Sequence, residues 1–121
     1  MPRIVHFEIS ADEPERAVRF YHNVFGWDIK KWEGPIEYWM VTTGPDNQPG
    51  INGRILKRRG SENVVNTIEV DAIDVYAEKI NQHGCEIVVP KSPIPGVGWV
   101  FYCKDTEGNT LGVFQTDPSA K

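Results

Sequence analysis

His6 and Glu8 stand two residues apart in Ile4-Val-His-Phe-Glu-Ile9, a run that alternates apolar and polar side chains. Side chains at i and i+2 leave a strand on the same face, so this run presents an imidazole beside a carboxylate. Histidine changes charge near neutral pH, and a neighbouring carboxylate favours its charged form. The pair therefore has the makeup of a general acid and base, and of two donors toward a divalent cation. The plainer reading is a hydrogen-bonded histidine in a half-polar cleft, beside a carboxylate tied to a neighbouring strand. Arg54, inside a strand, could reach a ligand carboxylate or phosphate or close a salt bridge. Lys57, Arg58 and Arg59 read as a solvated loop. Cys85 and Cys103, the two cysteines, are too far apart for a CxxC site and too few for a disulfide framework. They read as plain thiols. His22 falls off the apolar stripe of the first helix, and His83 ends the second, where a cation suits the helix dipole. Both read as surface residues.

Positioning these groups requires strands and helices, and the sequence writes them twice. Val5, Phe7 and Ile9 face one way; Ile4, His6, Glu8 and Ser10 face the other. Asp12 reads as a helix N-cap, with Pro14 in the first turn and Glu15 three residues after the cap. Ala17, Phe20, Tyr21, Val24 and Phe25 make an apolar helical face, and Gly26 stops it. Strands are expected at 27–32, 37–43 and 51–57. The second half repeats the order: a strand at 65–70, a helix opened by Asp71 and Asp74 with Ile73, Tyr76, Ala77 and Ile80 buried, Gly84 at its end, then strands at 86–90, 98–104 and 110–116. In the last, Leu111, Val113 and Gln115 oppose Thr110, Gly112 and Phe114. The period of about sixty residues is too long for a solenoid repeat. The pattern predicts an α+β fold of two tandem βαβββ modules in a single domain, residues 1–121. Module one spans about 1–60 and module two about 61–121, with a mixed sheet and both helices outside.

Each helix buries its stripe on one face of the sheet. The opposite parity is left to line a curved second face, a natural small-molecule cleft. His6, Glu8, Val65, Thr67, Gly112 and Phe114 are the candidates for it. Glycine inside a strand marks a bulge or a close approach. Gly53 and Gly112 occupy corresponding places in the two modules and leave room for a flat ligand or permit tight strand packing. Trp32, Tyr38, Trp39, Trp99, Phe101, Tyr102 and Phe114 are many aromatics for so short a chain and can supply aromatic walls, since either parity of the strands at 37–43 and 98–104 presents a ring. The expected ligand-binding set is thus Tyr38, Trp39, Gly53, Arg54, Thr67, Trp99, Phe101, Gly112 and Phe114, with His6 and Glu8 as the catalytic candidates. Residues 90–96 hold three prolines and a glycine. That composition excludes a helix or a central strand and reads as a stiff connection, a cleft rim or an ordinary surface loop.

Net charge of −4 leaves no broad basic surface for nucleic acid. The absence of a long apolar run or a signal-peptide pattern points away from membranes and toward the cytoplasm.

The run VHFEISADEPERAVRFYHNVFGW, followed by GINGRILKR, IPGVGW and DTEGNTLGVFQ, resembles the vicinal oxygen chelate superfamily of glyoxalase I, bleomycin-resistance proteins and extradiol dioxygenases. The resemblance covers nearly the whole chain and is strongest to a bacterial branch of short glyoxalase-like proteins. It implies an open, barrel-like sheet of paired βαβββ modules, a site inside that sheet, and often a homodimer. Metal-using members take ligands from the first and last strand of each module. Those positions fall here on His6, near Gly53, on Val65 (or Asn66 or Thr67) and on Gly112. One strong donor is thus supplied where about three are needed. No cofactor is expected, a divalent metal at His6 and Glu8, completed by Cys103 or a partner chain, being the alternative. The function expected is binding of a small aromatic or amphipathic molecule without the usual metal. The alternatives are a glyoxalase-like lyase or isomerase using His6 and Glu8, with or without metal, and a dimerising module.

Overall fold

Alternation on strands and helical stripes between them recur along the chain. A computed structural model, which describes residues 2–121, turns that recurrence into two helices and eight strands. In order these are β1 (Arg3–Ala11), α1 (Pro14–Phe25), β2 (Asp28–Lys31), β3 (Tyr38–Thr42), β4 (Asn52–Lys57), β5 (Val64–Glu69), α2 (Ile73–Gln82), β6 (Ile87–Ile94), β7 (Gly98–Lys104) and β8 (Thr110–Thr116). This is βαβββ written twice, an α+β fold. The chain forms two compact units, residues 6–65 and residues 66–121, the latter joined by the opening of β1 up to Val5. Among the described residues, no helix is long and apolar enough to cross a membrane.

In the unit of residues 6–65 the strands lie in the order β2-β3-β4-β1. β3 is antiparallel to β2 and β4, and β1 is parallel to β4. Ala11, Trp39, Val41 and Ile55 form the buried core, with Phe7, Ile9, Ala17 and Tyr21 packed on it. This is the parity expected of β1, and removing the fully buried Ile55 from water is worth about 2 kcal/mol. Gly26 ends α1 at φ 74°, donating its N–H to the His22 carbonyl. A side chain there would pay for the left-handed backbone. The helix start differs from expectation. Glu13 stands at the N-cap without a side-chain cap bond, and the Asp12 carboxylate instead accepts Arg58 Nε at 2.9 Å. Arg58 is thereby no solvated loop residue, since its Nη1 also donates to the Glu62 carbonyl and to Asn63 Oδ1.

In the unit of residues 66–121 the order is β5-β8-β7-β6. β5 is parallel to β8, and the other pairs are antiparallel. Val70, Ile73, Phe101, Cys103 and Val113 form its core, with Tyr76, Ile80 and Leu111 against it. Gln115 Oε1 accepts the Ile73 N–H at 2.9 Å and so satisfies an orphan donor of the first turn of α2. Neither Asp71 nor Asp74 caps the helix: Ala72 holds the N-cap, and Asp74 pairs with Lys91. The turn before β8 is built by Asp105, whose Oδ1 accepts the N–H groups of Glu107 and Asn109 at 2.8 and 2.9 Å. Residues 90–94, expected as a loop, extend β6 instead. The strand pairs only with β7 inside this unit, and its register shifts between Ile87, Val89 and Ser92. Pro90 and Pro93 are tolerated because an outer, bulged strand can do without their missing N–H groups.

Candidate functional site

The parallel register of β1 and β4 sets His6 opposite Asn52 and Glu8 opposite Arg54, on the strand face turned away from α1. Glu8 is 4% exposed. Arg54 Nε donates to Glu8 Oε2 at 2.8 Å, and Nη2 donates to the same oxygen. On its other side the guanidinium lies 5.1 Å from the centre of the Tyr38 ring. That ring stacks on Trp32 with centroids 4.8 Å apart and planes 18° from parallel. The Trp32 N–H donates to the Tyr38 carbonyl at 2.9 Å, which fixes the indole's backbone. Carboxylate, guanidinium, phenol and indole thus form one ladder inside a single unit. β3 supplies its middle rung because Trp39 and Val41 are committed to the core, leaving Tyr38 and Met40 on the opposite face.

His6 is half-buried beside this ladder. Burial pushes its pKa below the ordinary value; Glu8 acts the other way, and the Arg54 charge adds to the lowering. The raising expected from a lone His–Glu neighbourhood is therefore overturned, since desolvation opposes the charged ring and the carboxylate's charge is already answered by Arg54. At neutral pH the imidazole is neutral. As a metal site the set fits poorly. A cation approaching Glu8 meets the guanidinium bonded to it, and among the described residues no three His, Cys, Asp or Glu groups are placed to hold an ion. Cys103, the proposed third ligand, is 1% exposed in the core beneath α2. The residues present do not fit a conventional divalent centre, which needs about three protein donors.

Four residues expected to line the ligand site lie elsewhere. Trp39 belongs to the core under α1 and Phe101 to the core under α2. Trp99 shares the Phe101 face, packs against that core, and donates Nε1 to Asp117 Oδ2 at 2.9 Å. Gly53 also faces the helix side: an added Cβ would lie 2.3 Å from the Phe7 carbonyl oxygen and 2.5 Å from its ring. That glycine serves close strand approach. In the other unit, Thr67, Gly112 and Tyr102 lie abreast on β5, β8 and β7, on the face opposite α2. Phe114 shares it, with Glu69 and Val100 alongside; Val65, which ends the unit of residues 6–65, is buried. A Cβ on Gly112 would come within 3.0 Å of Thr67 Oγ1 and 3.2 Å of the Tyr102 ring. His22 and His83 use Nδ1 against the backbone carbonyls of Trp27 and Lys79. Trp32 and Tyr102, counted among the aromatics of the sequence but not in the ligand-binding set, join these faces in their respective units, and Asn52 joins the first without having been marked. Asn52 was legible from its place two residues before Arg54; Trp32, expected as the last residue of a strand at 27–32, follows β2, which ends at Lys31.

Fold and face together define an α+β protein of paired βαβββ modules, with polar and aromatic side chains on the strand face that the helix leaves open. The chain belongs to the Glyoxalase/Bleomycin resistance protein/Dioxygenase superfamily, whose family model matches residues 3–113. Among solved structures, a hypothetical protein from Bacillus halodurans C-125 superimposes with a TM-score of 0.71 at 13% identity, covering 99% of this chain and 98% of that one. Methylmalonyl-CoA epimerase from Mycobacterium tuberculosis gives 0.70 at 10% identity, covering 95% and 88%. A methylmalonyl-CoA epimerase in complex with methylmalonyl-CoA and NH4+ gives 0.70 at 14% identity, covering 100% and 99%. At such identities the likeness is one of fold. No curated protein matches the sequence.

Proposed function

We propose that the chain binds a small aromatic or amphipathic molecule on the strand face of residues 6–65, without a divalent metal. The observation that carries this reading is the position of Arg54, bonded to the buried Glu8 and stacked on Tyr38. The arginine answers the charge of the carboxylate that a metal would need and packs on the aromatic platform. A ligand ring would lie along Trp32 and Tyr38, with its polar end toward His6 and Asn52. Apolar and aromatic walls with few polar points suit such ligands. Thr67, Gly112 and Phe114 remain candidates as the corresponding face of the other unit.

The test is tryptophan fluorescence titration with a panel of aryl carboxylates, using wild type and Trp32→Phe. Saturable quenching that is lost with Trp32 and insensitive to a chelator supports the reading. A ligand that binds only with added metal overturns it. Native mass spectrometry reports co-purified ligand, and the homodimer this reading includes, in one spectrum.

A second reading rests on the neutral His6 imidazole, which has the right protonation state for a general base near pH 7. Structural neighbours named as epimerases lend it support at the level of fold. Incubation with methylmalonyl-CoA in deuterated water tests it: His6-dependent deuterium incorporation favours an isomerase-type reaction, and its absence favours binding alone.

A further inference from the structure

The unit of residues 66–121 carries a separate groove on its helix side. The C-terminal half of α2 and the ends of β7 and β8 leave a space of about 290 Å³. Ile80 and Leu111 supply an apolar floor where they pack onto the core, with the Cys103 thiol at its base. Lys79 from α2 and Lys104 from the end of β7 stand at the mouth, both exposed.

We propose that this groove binds a small amphipathic monocarboxylate, its hydrocarbon or aryl tail on Ile80 and Leu111 and its carboxylate at the ammonium groups of Lys79 and Lys104. The volume lies at the low end for small-molecule sites, which limits the occupant to a short tail. Charge selects the anion. Lys30, Lys31 and Lys91 are each within ion-pair distance of a carboxylate. Among the described residues, Lys79 and Lys104 form no ion pair; the Lys79 ammonium rests 4.8 Å from the Tyr76 ring centre. The carboxylate at the mouth, Asp105, is turned into its own loop, where it accepts two backbone N–H groups and the Asn109 side-chain amide. It leaves the two ammonium groups to an incoming anion. His83, also on the rim, is engaged through Nδ1 with the Lys79 carbonyl.

Cys85, half-buried on the groove wall, is a built-in reporter. The experiment follows its alkylation by iodoacetamide in the intact protein, with octanoate as probe and octylammonium as the charge-reversed control. Octanoate is expected to slow Cys85 alkylation several-fold and saturably, and octylammonium to leave it unchanged. In the Lys79→Gln, Lys104→Gln double variant, whose exposed substitutions leave the core intact, octanoate affinity should fall about tenfold. Amide shifts on octanoate binding should centre on Ile80, Cys85 and Lys104. Absence of saturable protection, equal protection by octylammonium, unchanged affinity in the double variant, or shifts centred on Glu8 and Arg54 would each overturn the proposal. The last of these outcomes would instead favour the strand face of residues 6–65, so the two sites are tested apart.

Discussion

Arg54 reaches from β4 across to β1 and bonds one carboxylate oxygen of Glu8 through two of its nitrogens, joining residues 46 positions apart. Removing one partner of such a pair is worse than removing both, because the survivor keeps its desolvation cost. The Glu8 side chain is 6% exposed and that of Arg54 26%, so the carboxylate is the more vulnerable survivor. Arg54→Met should cost about 3 kcal/mol in urea unfolding, somewhat softened by the exposure of the guanidinium. Glu8→Gln combined with Arg54→Met should cost only about 1 kcal/mol. A double variant as unstable as the sum of the singles would show that the two residues act independently.

His6 gives stability a pH dependence of defined sign. Its folded pKa lies below the ordinary value of about 6.5, chiefly through burial, with Arg54 adding to the lowering and Glu8 opposing it. The unfolded chain therefore binds the proton more readily than the folded one. Stability from this group is complete above pH 6.5 and falls as pH drops from there toward the folded pKa. Urea unfolding between pH 5 and 8 should show this decline in wild type, and His6→Gln should flatten it. A decline of equal slope in both proteins would assign it to other groups.

Much of the architecture was written in the sequence because parity and helical periodicity are local. β7 and β8 begin and end at the residues that alternation and turn chemistry mark, and Leu111, Val113 and Gln115 do face the helix. Parity also tells which residues of β3 share a face, but not which face the core takes. Tyr38 and Trp39 were therefore both admissible as ligand contacts, and the packing of Ala17 and Tyr21 from α1 decided against Trp39. The Glu8–Arg54 bond depends on the parallel register of β1 and β4, set between segments distant in the chain. The helix starts depart from their local capping signals for a related reason. Asp12 and Asp74 find basic partners in Arg58 and Lys91, and those tertiary contacts override local capping preference.

The two glycines that sequence placed on equal footing should respond unequally to alanine. At Gly53 the new Cβ would meet the Phe7 backbone oxygen at 2.3 Å, and a neighbouring strand cannot yield without breaking its ladder. At Gly112 the nearest atoms are the side chains of Thr67 and Tyr102 at 3.0 and 3.2 Å, which can move by tenths of an ångström. Overpacking then predicts a cost of about 3 kcal/mol for Gly53→Ala and about 1 kcal/mol for Gly112→Ala. Thermal unfolding checks the order: a drop of roughly 10 °C against a few degrees. Equal drops would mean that Gly53 has more room than its contact with Phe7 allows.

Metal response separates the binding reading from a metal-dependent one most directly. An ion held by His6 and Glu8 would share the carboxylate with the guanidinium bonded to Oε2 and meet its positive charge, and would still lack a third protein donor among the described residues. A ligand that binds only the native state stabilises it by about 2.7 kcal/mol at a hundredfold excess over its dissociation constant, which for a domain of this size raises Tm by several degrees. Zinc, nickel, manganese or iron added to chelator-treated protein is therefore expected to shift Tm by less than about 1 °C. Aryl-carboxylate binding, read through the Trp32 quench, should be the same before and after chelation. A rise of several degrees with one of these ions, abolished by His6→Gln, would mean that the strand face of residues 6–65 is a metal site after all.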